Sequence, residues 1–468
     1  MKWLVIVLGA VAGLSACAPA VRYHPKPIVP AVTARQLESR SLSDPGLRKF
    51  IQANLHQSHS AWPAKAWNLK MLTLAAIYYS PVLQQARAEV SAANAAVMTA
   101  GERPNPTFRL QPGIPNPYLF ALSFLFPIQT AGKRRIMVEQ AKDLTLASRL
   151  NLAQATWQVC SNVRSAMVNY FLARREVSLL QLQQGLQTRR VELLRQRLVA
   201  GEISQPMVSS ARLSLLQAQA AIETAEGRVL ETRAALAAAV GVPVAALADA
   251  KIVWPEFEQP PKAASFSAQA IQRDAVLNRL DVRRALAEYA AAQAALQLQI
   301  ARQHPDFQLG PGYDFEEGHN YFTLGYSVTL PVFNRNQGPI AQAEAQRKAA
   351  AAAFLATQAN AIAQSEEALA RYRGAMRELN GTEQAVRQLE RVVVPTERRT
   401  VAAGESDRLA LNAVLLQRPA LAGTWLSALG RSQSALGALE DAVERPLDPD
   451  EIALPGPAGL HDPEKRVP

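Results

Sequence analysis

The sequence predicts a mainly α-helical protein with a small membrane β part: long coiled-coil-like helical hairpins and four short β-strands per chain. Three observations lead to this fold class. Almost half of the 468 residues (49%) are apolar, much of this alanine, while only 19% are charged and 6% are aromatic. A long unit is written twice along the chain. Phenylalanine concentrates in two short windows of alternating sequence. Small alanines suit closely packed helices, and alternating aromatic windows suit strands.

The repeat is seen as short landmarks that recur in the same order. Residues 88–96 align with residues 287–295 at an offset of 199, and residues 126–128 align with residues 330–332 at an offset of 204. Recurrence in the same order at an offset of about 200 indicates a duplicated structural unit, since loops tolerate insertions of a few residues. The sequence is therefore divided into a first repeat, a proline-rich linker and a second repeat, at residues 66–242, 243–267 and 268–442.

The N-terminus has the features of an export signal over residues 1–16, with Lys2 before a short apolar run. The segment ending in Cys17 resembles the bacterial lipobox, which implies cleavage and lipidation at Cys17. A plain signal peptide with an incidental cysteine is the alternative. Residues 17–65 contain several prolines and are predicted to be an extended tether from the lipid anchor. Residues 443–468 are predicted to be a disordered proline-rich tail.

The net charge is +11, but the arginines are spread along helical stretches without a dense basic block. An exported protein meets no nucleic acid, so we interpret the charge as a solvated basic surface. By resemblance to enterobacterial sorting, Ala18 after the lipobox cysteine favours the outer membrane. Cys160, the one other cysteine, lies in an apolar helical pattern and is predicted to be buried.

Two β-hairpins are predicted at about residues 106–128 and 305–331. Within the second hairpin, residues 322–330 place aromatic and apolar side chains on one face and Thr, Gly and Ser on the other. An apolar outer face over a small or polar inner face is typical of a transmembrane β-barrel. A small soluble sheet packed on helices is the alternative. Four strands cannot close a barrel, and open edges are not tolerated in lipid, so several chains must share their strands.

After each hairpin the sequence is helical for about 100 residues, with a break near the middle at residues 199–204 and 402–407. Glycine followed by Ser or Asp fits a helix C-cap and then an N-cap. Each long run is therefore predicted to be a helical hairpin with a tight turn. At ~1.5 Å per residue, one arm reaches about 100 Å. Single helices are predicted over residues 68–100 and 268–302, before the strands.

This duplicated unit, with the segments at residues 126–134 and 330–338, resembles the TolC-like outer-membrane efflux proteins. The second segment looks like the L-P-x-F-x-R-N-Q-G stretch common in the CzcC-like heavy-metal branch. The resemblance implies a homotrimer whose chains form one twelve-stranded barrel and a helical tunnel in the periplasm. It also implies a periplasmic adaptor and an inner-membrane pump as partners, with the RND type as one candidate.

In that family the two hairpin turns form the periplasmic tip where the adaptor docks. The role transfers to nine residues of this chain: Ala200, Gly201, Glu202, Ile203, Ser204, Ala403, Gly404, Glu405 and Ser406. Some members place aspartates six and nine residues beyond the second tip glycine. Ala410 and Ala413 stand there in this chain, so an acidic ring at those positions is not expected.

The sequence contains no catalytic constellation, and we predict no enzyme, no cofactor and no metal site. His56 and His59 are three residues apart but lack a nearby cysteine or carboxylate. Arg109 alternates onto the predicted inner side of its strand and is a candidate to line the pore. The expected function is a passive exit duct in the outer membrane, for heavy-metal cations as one substrate class. Ducts for drugs, small molecules or secreted proteins, and a non-channel structural lipoprotein, are the alternatives.

Overall fold

The computed structural model describes residues 23–55, 62–113 and 119–447. The chain divides into two compact units, Met1–Arg40 and Ser41–Pro468. In the described part of the first unit lies helix α1 (Pro30–Glu38), whose residues are exposed. The predicted signal peptide (residues 1–16), Cys17 and residues 448–468 of the predicted tail lie outside the described residues.

The second unit consists of long helices and two small sheets. Its helices are α2 (Pro45–Leu55), α3 (Leu69–Tyr79), α4 (Pro81–Gly101), α5 (Lys133–Val199), α6 (Gln205–Val240), α7 (Ala268–Asn278), α8 (Leu280–Ala301), α9 (Gln337–Gln388), α10 (Val394–Ala402), α11 (Arg408–Leu415) and α12 (Gln417–Val443). Its strands are β1 (Ala66–Trp67), β2 (Thr107–Pro112), β3 (Leu119–Ile128), β4 (Lys251–Ile252), β5 (Phe307–Glu316) and β6 (His319–Val328). Both repeats thus run from helix to strand pair to helical hairpin.

The prediction of a single helix before each strand pair is wrong in one respect, because each of these helices is divided in two. In the first repeat, Pro81 opens α4 and cannot donate a backbone hydrogen bond to α3. The Ser80 hydroxyl accepts a hydrogen bond from the Leu83 amide at 3.4 Å and so caps α4. In the second repeat the division falls at Arg279, whose guanidinium pairs with Asp281 at 2.6 Å.

Helix α5 is the central packing element and contacts α4, α6, α8 and α12, while α9 packs on α8 and α12. Alanine lets these helices approach closely; on α8 alone, Ala285, Ala287, Ala291 and Ala294 are buried. Among the described residues, no helix is both long and apolar enough to cross a membrane.

The main core surrounds α3 and includes part of the segment predicted to be an extended tether. That prediction is wrong for α2, whose Leu47, Phe50 and Ile51 are buried in this core. Their spacing puts them on one helix face, and burying that face stabilises the helix by removing apolar surface from water. The Tyr79 hydroxyl donates to the Ser41 carbonyl at 2.8 Å and fixes the start of this segment.

The proline-rich linker (residues 243–267) is packed rather than loose. Leu247, Ile252, Trp254 and Phe257 are buried in the main core. Strand β4 pairs in parallel with β1, with Ala66 opposite Lys251. The linker therefore packs into the main core and, through β4, pairs with the strand at the beginning of the first repeat.

The larger sheet has the strand order β2-β3-β5-β6, and every neighbouring pair is antiparallel. The strand pair of the first repeat and that of the second thus form one continuous sheet in which successive strands alternate in direction. Strands β2 and β6 are the edges of this sheet. The helical hairpins that follow differ from each other. Helix α5 is continuous over its 67 residues, whereas α9 passes into a π-helical turn at Leu389–Val393 before α10 begins.

Candidate functional site: the helical tips and the two-faced sheet

The first tip is the turn between α5 and α6. The amide of Gly201 donates to the Leu198 carbonyl at 3.0 Å, and the amide of Glu202 donates to the Arg197 carbonyl at 2.9 Å. These bonds satisfy carbonyls that the end of α5 would otherwise leave unpaired. Gly201 has φ = +75°, a conformation that favours glycine.

The second tip, between α10 and α11, repeats this geometry. The amide of Gly404 donates to the Val401 carbonyl at 3.2 Å, and the amide of Glu405 donates to the Thr400 carbonyl at 2.9 Å. Gly404 has φ = +78°. A Cβ added at Gly201 or Gly404 would meet no atom within 4 Å. The two glycines are therefore required by backbone conformation and not by lack of space.

The helices that leave the two tips begin differently. Asp407 caps α11, because its Oδ1 accepts a hydrogen bond from the Ala410 amide at 2.8 Å. This capping agrees with the sequence prediction. Ser204 stands at the start of α6, but its side chain makes no capping hydrogen bond within the described structure. Pro206 lies in the first turn of α6 and, having no N–H, leaves one backbone donor fewer to satisfy there.

The two tips lie side by side. Nη2 of Arg197, at the end of α5, lies 2.5 Å from Oδ2 of Asp407. Leu409 of α11 packs against an apolar cluster formed by α5 and α6. The buried members of that cluster are Val191, Leu194, Val208 and Ala211. Turns that lie about 200 residues apart in sequence are thus joined by an ion pair and by apolar packing.

The Asp407 carboxylate in this ion pair between the tips stays charged near neutral pH. The hydrogen bond from the Ala410 amide, followed by that from Arg197, lowers the pKa of Asp407 below its ordinary value of 3.8. Asp407 therefore stays ionised well below neutral pH. Arg197 also lies 3.7 Å from Glu202 of its own tip, so one guanidinium contacts carboxylates of both tips.

The structure places the nine predicted tip residues at the two turns. Seven of them are exposed, whereas Ile203 and Ser406 are half-buried. Ile203 packs against the tip cluster, and the Ser406 hydroxyl donates to Glu397 at 2.5 Å. Sequence reasoning missed Arg197 and Leu409, which join the tips. Arg197 aligns with Thr400 at the offset of the tip glycines, and this difference between the repeats was the available signal.

The four-stranded sheet has one strongly aromatic face and one face of mostly small or polar residues, on which Leu119, Leu125 and Tyr321 are the large apolar members. Residues paired directly across antiparallel strands point to the same face. The pairs Phe108–Phe124 and Tyr313–Phe322 therefore share a face, and their ring centroids lie 5.1 and 5.7 Å apart. On this face of the edge strand, Phe322 is 88% exposed. The same face carries Leu110, Phe120, Leu122, Phe126, Phe307, Leu309, Phe315, Leu324 and Tyr326.

Arg109 lies on the opposite face, as its alternation predicted. The pairing register aligns it with Ser123, Gly312 and Thr323 in one row across the sheet. A Cβ on Gly312 would lie 2.7 Å from the Thr323 hydroxyl, so this row leaves no room for a larger residue at Gly312. Arg109 is the one cation of strand β2, and the same face carries the carboxylates of Asp314 and Glu316 nearer the turn between β5 and β6.

An ion pair between a buried lysine and a half-exposed aspartate fixes the junction between sheet and helices. Lys133, the first residue of α5, has a side chain only 7% exposed, and its Nζ lies 2.7 Å from Oδ1 of Asp306. The same Nζ donates to the His304 carbonyl at 2.6 Å. Burial acts to raise the pKa of Asp306, but the hydrogen bonds from Lys133 and the Thr130 amide outweigh it and lower this pKa. The end of β3 is thus tied to the beginning of β5.

The described residues contain no group of three or more His, Cys, Asp and Glu side chains placed to hold a metal ion. His56 and His59 lie outside the described residues. His319 is the first residue of β6, next to the turn at Glu317 and Gly318.

Duplicated helical hairpins on a two-faced antiparallel sheet define a class of outer-membrane protein. The family model described as "Outer membrane efflux protein" matches residues 75–242 and 271–418, which is more than half of the chain. The chain belongs to this family. The two matched segments fall within the two structural repeats.

Individual relatives agree with this assignment. The chain is 25% identical over 232 residues to the cobalt-zinc-cadmium resistance protein CzcC of Cupriavidus metallidurans. That match covers 49% of this chain and 54% of the relative, so it spans about half the length of each. The resemblance to the efflux family stated from the sequence is thereby confirmed.

Solved structures share the fold. A crystal structure of CusC, described in terms of folding and transmembrane channel formation, superposes with a TM-score of 0.64 at 16% identity and covers 91% of this chain and 99% of its own. The outer-membrane channel OprN gives a TM-score of 0.66 at 17% identity, covering 91% and 98%. The prediction that the chain is not an enzyme is also confirmed, because the family to which the chain belongs is one of outer-membrane efflux proteins.

Proposed function

We propose that this protein is the outer-membrane channel of a tripartite efflux system, a passive exit duct that takes no energy of its own. The two-faced sheet is the observation that carries this proposal. Its aromatic face suits contact with lipid, and its small or polar face suits a water-filled lumen. A sheet of four strands is too small to enclose a lumen alone, so the duct requires several copies of the chain.

Strand direction supports closure between copies. Strands β2 and β6 run in opposite directions, because three antiparallel steps separate them. Strand β6 of one copy would therefore pair with β2 of the next in the same antiparallel sense as within the chain. Three copies give the twelve-stranded barrel expected for the family, and closure removes the open edges that lipid does not tolerate.

The helical hairpins continue this duct into the periplasm. Helix α5 has 67 residues and spans about 100 Å at ~1.5 Å per residue. The two tips lie side by side at the far end from the sheet and expose Glu202 and Glu405. We assign them as the docking surface for a periplasmic adaptor, which connects the duct to an inner-membrane pump. Cys17, when lipidated, adds a membrane anchor beside the barrel.

Heavy-metal cations are the substrate class that the comparisons favour. The CzcC relative is named for cobalt, zinc and cadmium resistance, and the segment of residues 330–338 resembles the stretch common in the CzcC-like branch. Selectivity in such a system resides mainly in the pump. A duct for drugs or for secreted proteins is the competing proposal within the same family.

Purified protein reconstituted in planar bilayers tests the duct. We expect trimers by native mass spectrometry and discrete ion conductance; a monomer without conductance would contradict the proposal. Cys17→Ala separates a duct from a merely anchored lipoprotein. A barrel keeps this variant in the outer-membrane fraction, whereas a protein held only by lipid becomes soluble. A deletion strain with no redundant pump tests the substrate: unchanged tolerance to zinc, cobalt, cadmium, copper and silver alike would count against the metal assignment.

A further inference from the structure

A groove between α5 and α6 extends from the first tip toward the linker. Two cavities mark its ends, one of about 650 Å³ near the tip and one of about 730 Å³ beside the linker. Residues that line the two cavities recur at intervals of seven or a multiple of seven, and they include Phe171, Ser178, Gly185 and Glu192 on α5 and Gln219 and Glu226 on α6. Positions seven apart lie on the same face of a packed helix, so the two cavities belong to one groove.

The linker occupies the end of this groove that is away from the tip. Trp254 and Phe257 are each 5% exposed, and their ring centroids lie 6.2 and 5.3 Å from that of Phe171. Glu258 follows them in the chain and pairs with Arg175 of α5 at 2.6 Å. A segment that combines buried apolar side chains with a carboxylate is thus what this face of the helices already binds.

The end of the groove near the tip is open and basic. Arg189, Arg195 and Arg212 line it, and all three are exposed without an ion pair or a side-chain hydrogen bond in the part of the chain that the structure describes. Glu192 also lines this end and accepts a hydrogen bond from the Gln196 side chain at 3.0 Å. With three arginines and one carboxylate, the described lining has an excess of two positive charges.

Apolar surface lies beside these cations. Leu216 is 60% exposed, and Leu215 packs on the tip cluster together with Val191. Gly185 leaves the groove open, since a Cβ there would meet no atom within 4 Å. A segment bound here would therefore touch the same cluster against which Leu409 of the second tip packs.

The helical hairpin itself does not require these arginines. At the offset of 203 that aligns the two tip glycines, Arg189 corresponds to Val392 in the second repeat. Arg212 corresponds in the same way to Leu415, whereas Arg195 corresponds to another arginine. Exposed cations that the second hairpin lacks are better explained by a partner than by folding.

We propose that this basic end of the groove binds an acidic amphipathic helix of the periplasmic protein that docks at the tips. A third helix can lay its apolar stripe into the groove between two antiparallel helices. Arg189 and Arg195 lie about 9 Å apart along α5, and carboxylates seven residues apart on a partner helix span about 10 Å. The charge of the groove is thus complementary to such a helix in sign and in spacing.

This inference rests on the proposed function, because the orientation of the duct places the groove in the periplasm. A lumen has to stay free of the chain, so the face that the linker covers is the outer face of the duct. A partner can reach the groove from that side.

Peptide binding by the full-length protein in nanodiscs tests the groove. The probe is a fluorescein-labelled peptide of three heptads, with leucine at positions a and d and glutamate at e and g, and binding is measured by fluorescence anisotropy against empty nanodiscs. A peptide with lysine in place of glutamate and a scrambled acidic peptide serve as comparisons. We expect the wild type to bind only the first peptide, and absence of that binding would overturn the proposal.

Four variants separate charge from shape. Arg189→Gln and Arg212→Gln should each weaken binding by at most about five-fold, the factor that corresponds to about 1 kcal/mol for an exposed ion pair. Leu216→Ser should weaken binding through the loss of apolar contact. Gly185→Leu should also weaken binding, because its side chain fills part of the cavity without changing the charge.

Matched controls are the exposed residues Arg273 and Leu277 of α7, outside the groove. Arg273→Gln and Leu277→Ser should leave peptide binding unchanged. Equal affinity of the wild type and a variant that combines Arg189→Gln with Arg212→Gln would overturn the proposal. Equal binding of the scrambled acidic peptide would overturn it in favour of a nonspecific basic surface.

Two further outcomes would assign the groove to another occupant. A lower copy number in Leu216→Ser, measured by native mass spectrometry, would overturn the proposal in favour of a contact between copies. Stronger peptide binding by a chain that ends at Leu447 would overturn it in favour of residues 448–468 of the same chain.

Conductance in planar bilayers, measured on the same wild-type preparation, separates failure of the groove from failure of the duct. Conductance without peptide binding refutes the groove as a docking site and leaves the duct intact. Absence of conductance refutes the duct, whatever peptide is bound.

Discussion

Arg197 and Asp407 belong to different repeats, and their side chains meet at 2.5 Å between the two helical tips. Each residue also serves its own turn. The Arg197 carbonyl accepts the Glu202 amide, and the Asp407 carboxylate caps α11. Movement of one hairpin away from the other therefore has to break this pair. We propose that such movement opens the periplasmic end of the duct.

Removing the pair should favour the open duct. Asp407 is half-exposed, so the contact contributes at most about 1 kcal/mol, and the closed-to-open ratio should fall by no more than about five-fold per chain. Asp407→Asn is the preferred change, because asparagine also caps helices and isolates the loss of charge. Single-channel recording should show a higher resting open probability for Asp407→Asn and Arg197→Gln. Additive effects in the double variant would show that the two residues are not coupled.

Acid should act on the same contact only at low pH. The pKa of Asp407 is lowered, so the ion pair is fully present above the ordinary value of 3.8 and is lost as pH falls through the lowered value. Resting conductance should therefore be flat from pH 7 to pH 5 with respect to this pair and should rise below about pH 4. Asp407→Asn should lack the low-pH rise. An identical rise in that variant would assign the effect to other groups.

Replacing either tip glycine should destabilise the protein, because both glycines have a positive φ. Gly201→Ala and Gly404→Ala place a Cβ on residues with φ near +75° and should each cost about 1–2 kcal/mol. Gly185 is the matched control. It lies in the interior of α5 with no atom within 4 Å of a built Cβ, so Gly185→Ala should stabilise by about 0.5–1 kcal/mol. Thermal unfolding in one detergent compares the three; a lower midpoint for Gly185→Ala would contradict the argument.

The junction ion pair should respond asymmetrically to mutation. Asp306→Asn keeps an oxygen for the Thr130 amide but leaves the buried Lys133 ammonium without its counter-charge, which should cost about 1–3 kcal/mol. Lys133→Met should cost less, because the Asp306 side chain is 45% exposed and regains water. Thermal unfolding of the two variants measures the difference. Equal losses of stability in the two variants would mean that hydration of the exposed Asp306 side chain does not compensate for the missing lysine.

Arg109 should set the sign of ion selectivity in the barrel. Its row on the inner face contains Ser123, Gly312 and Thr323 and no carboxylate, so the guanidinium is the charge at that level. Arg109→Glu should shift the reversal potential under a salt gradient toward cation selectivity. Arg103→Glu, which makes the same charge change before β2 begins, is the control. Equal shifts in both variants would place Arg109 outside the lumen.

The regular parts of this fold follow from sequence because local chemistry decides them. Gly201 and Gly404 end their helices through a positive φ, and that requirement is readable from the residue type. Alternation at residues 322–330 identified β6 and its aromatic face. Pro81 with Ser80 before it was an equally local signal, an N-cap followed by proline, and could have divided the first helix correctly.

Other features depend on distant residues and left little local trace. The division between α7 and α8 at Arg279 is marked by neither glycine nor proline. The Leu280 amide, which this division frees from the helix, donates to Glu444, 164 residues away. Helix α2 was read as extended chain from its prolines, although Leu47, Phe50 and Ile51 have helical spacing. The π-helical turn at Leu389–Val393, by contrast, has a local signal, because Pro395 follows it directly and has no N–H to donate to the Arg391 carbonyl. Arg197 was missed because its partner lies on the other repeat.

The alternating strand directions of the sheet affect what can be inferred about the number of chains in the proposed ring. Because β2 and β6 are antiparallel, a seam between neighbouring copies is acceptable for rings of two, three or four chains alike. Strand direction therefore cannot count the copies. In the proposed duct, we expect the packing of α5 and α9 against the next copy to set that number. Substitutions that widen these helix faces, rather than changes in the strands, are where altered ring sizes should arise.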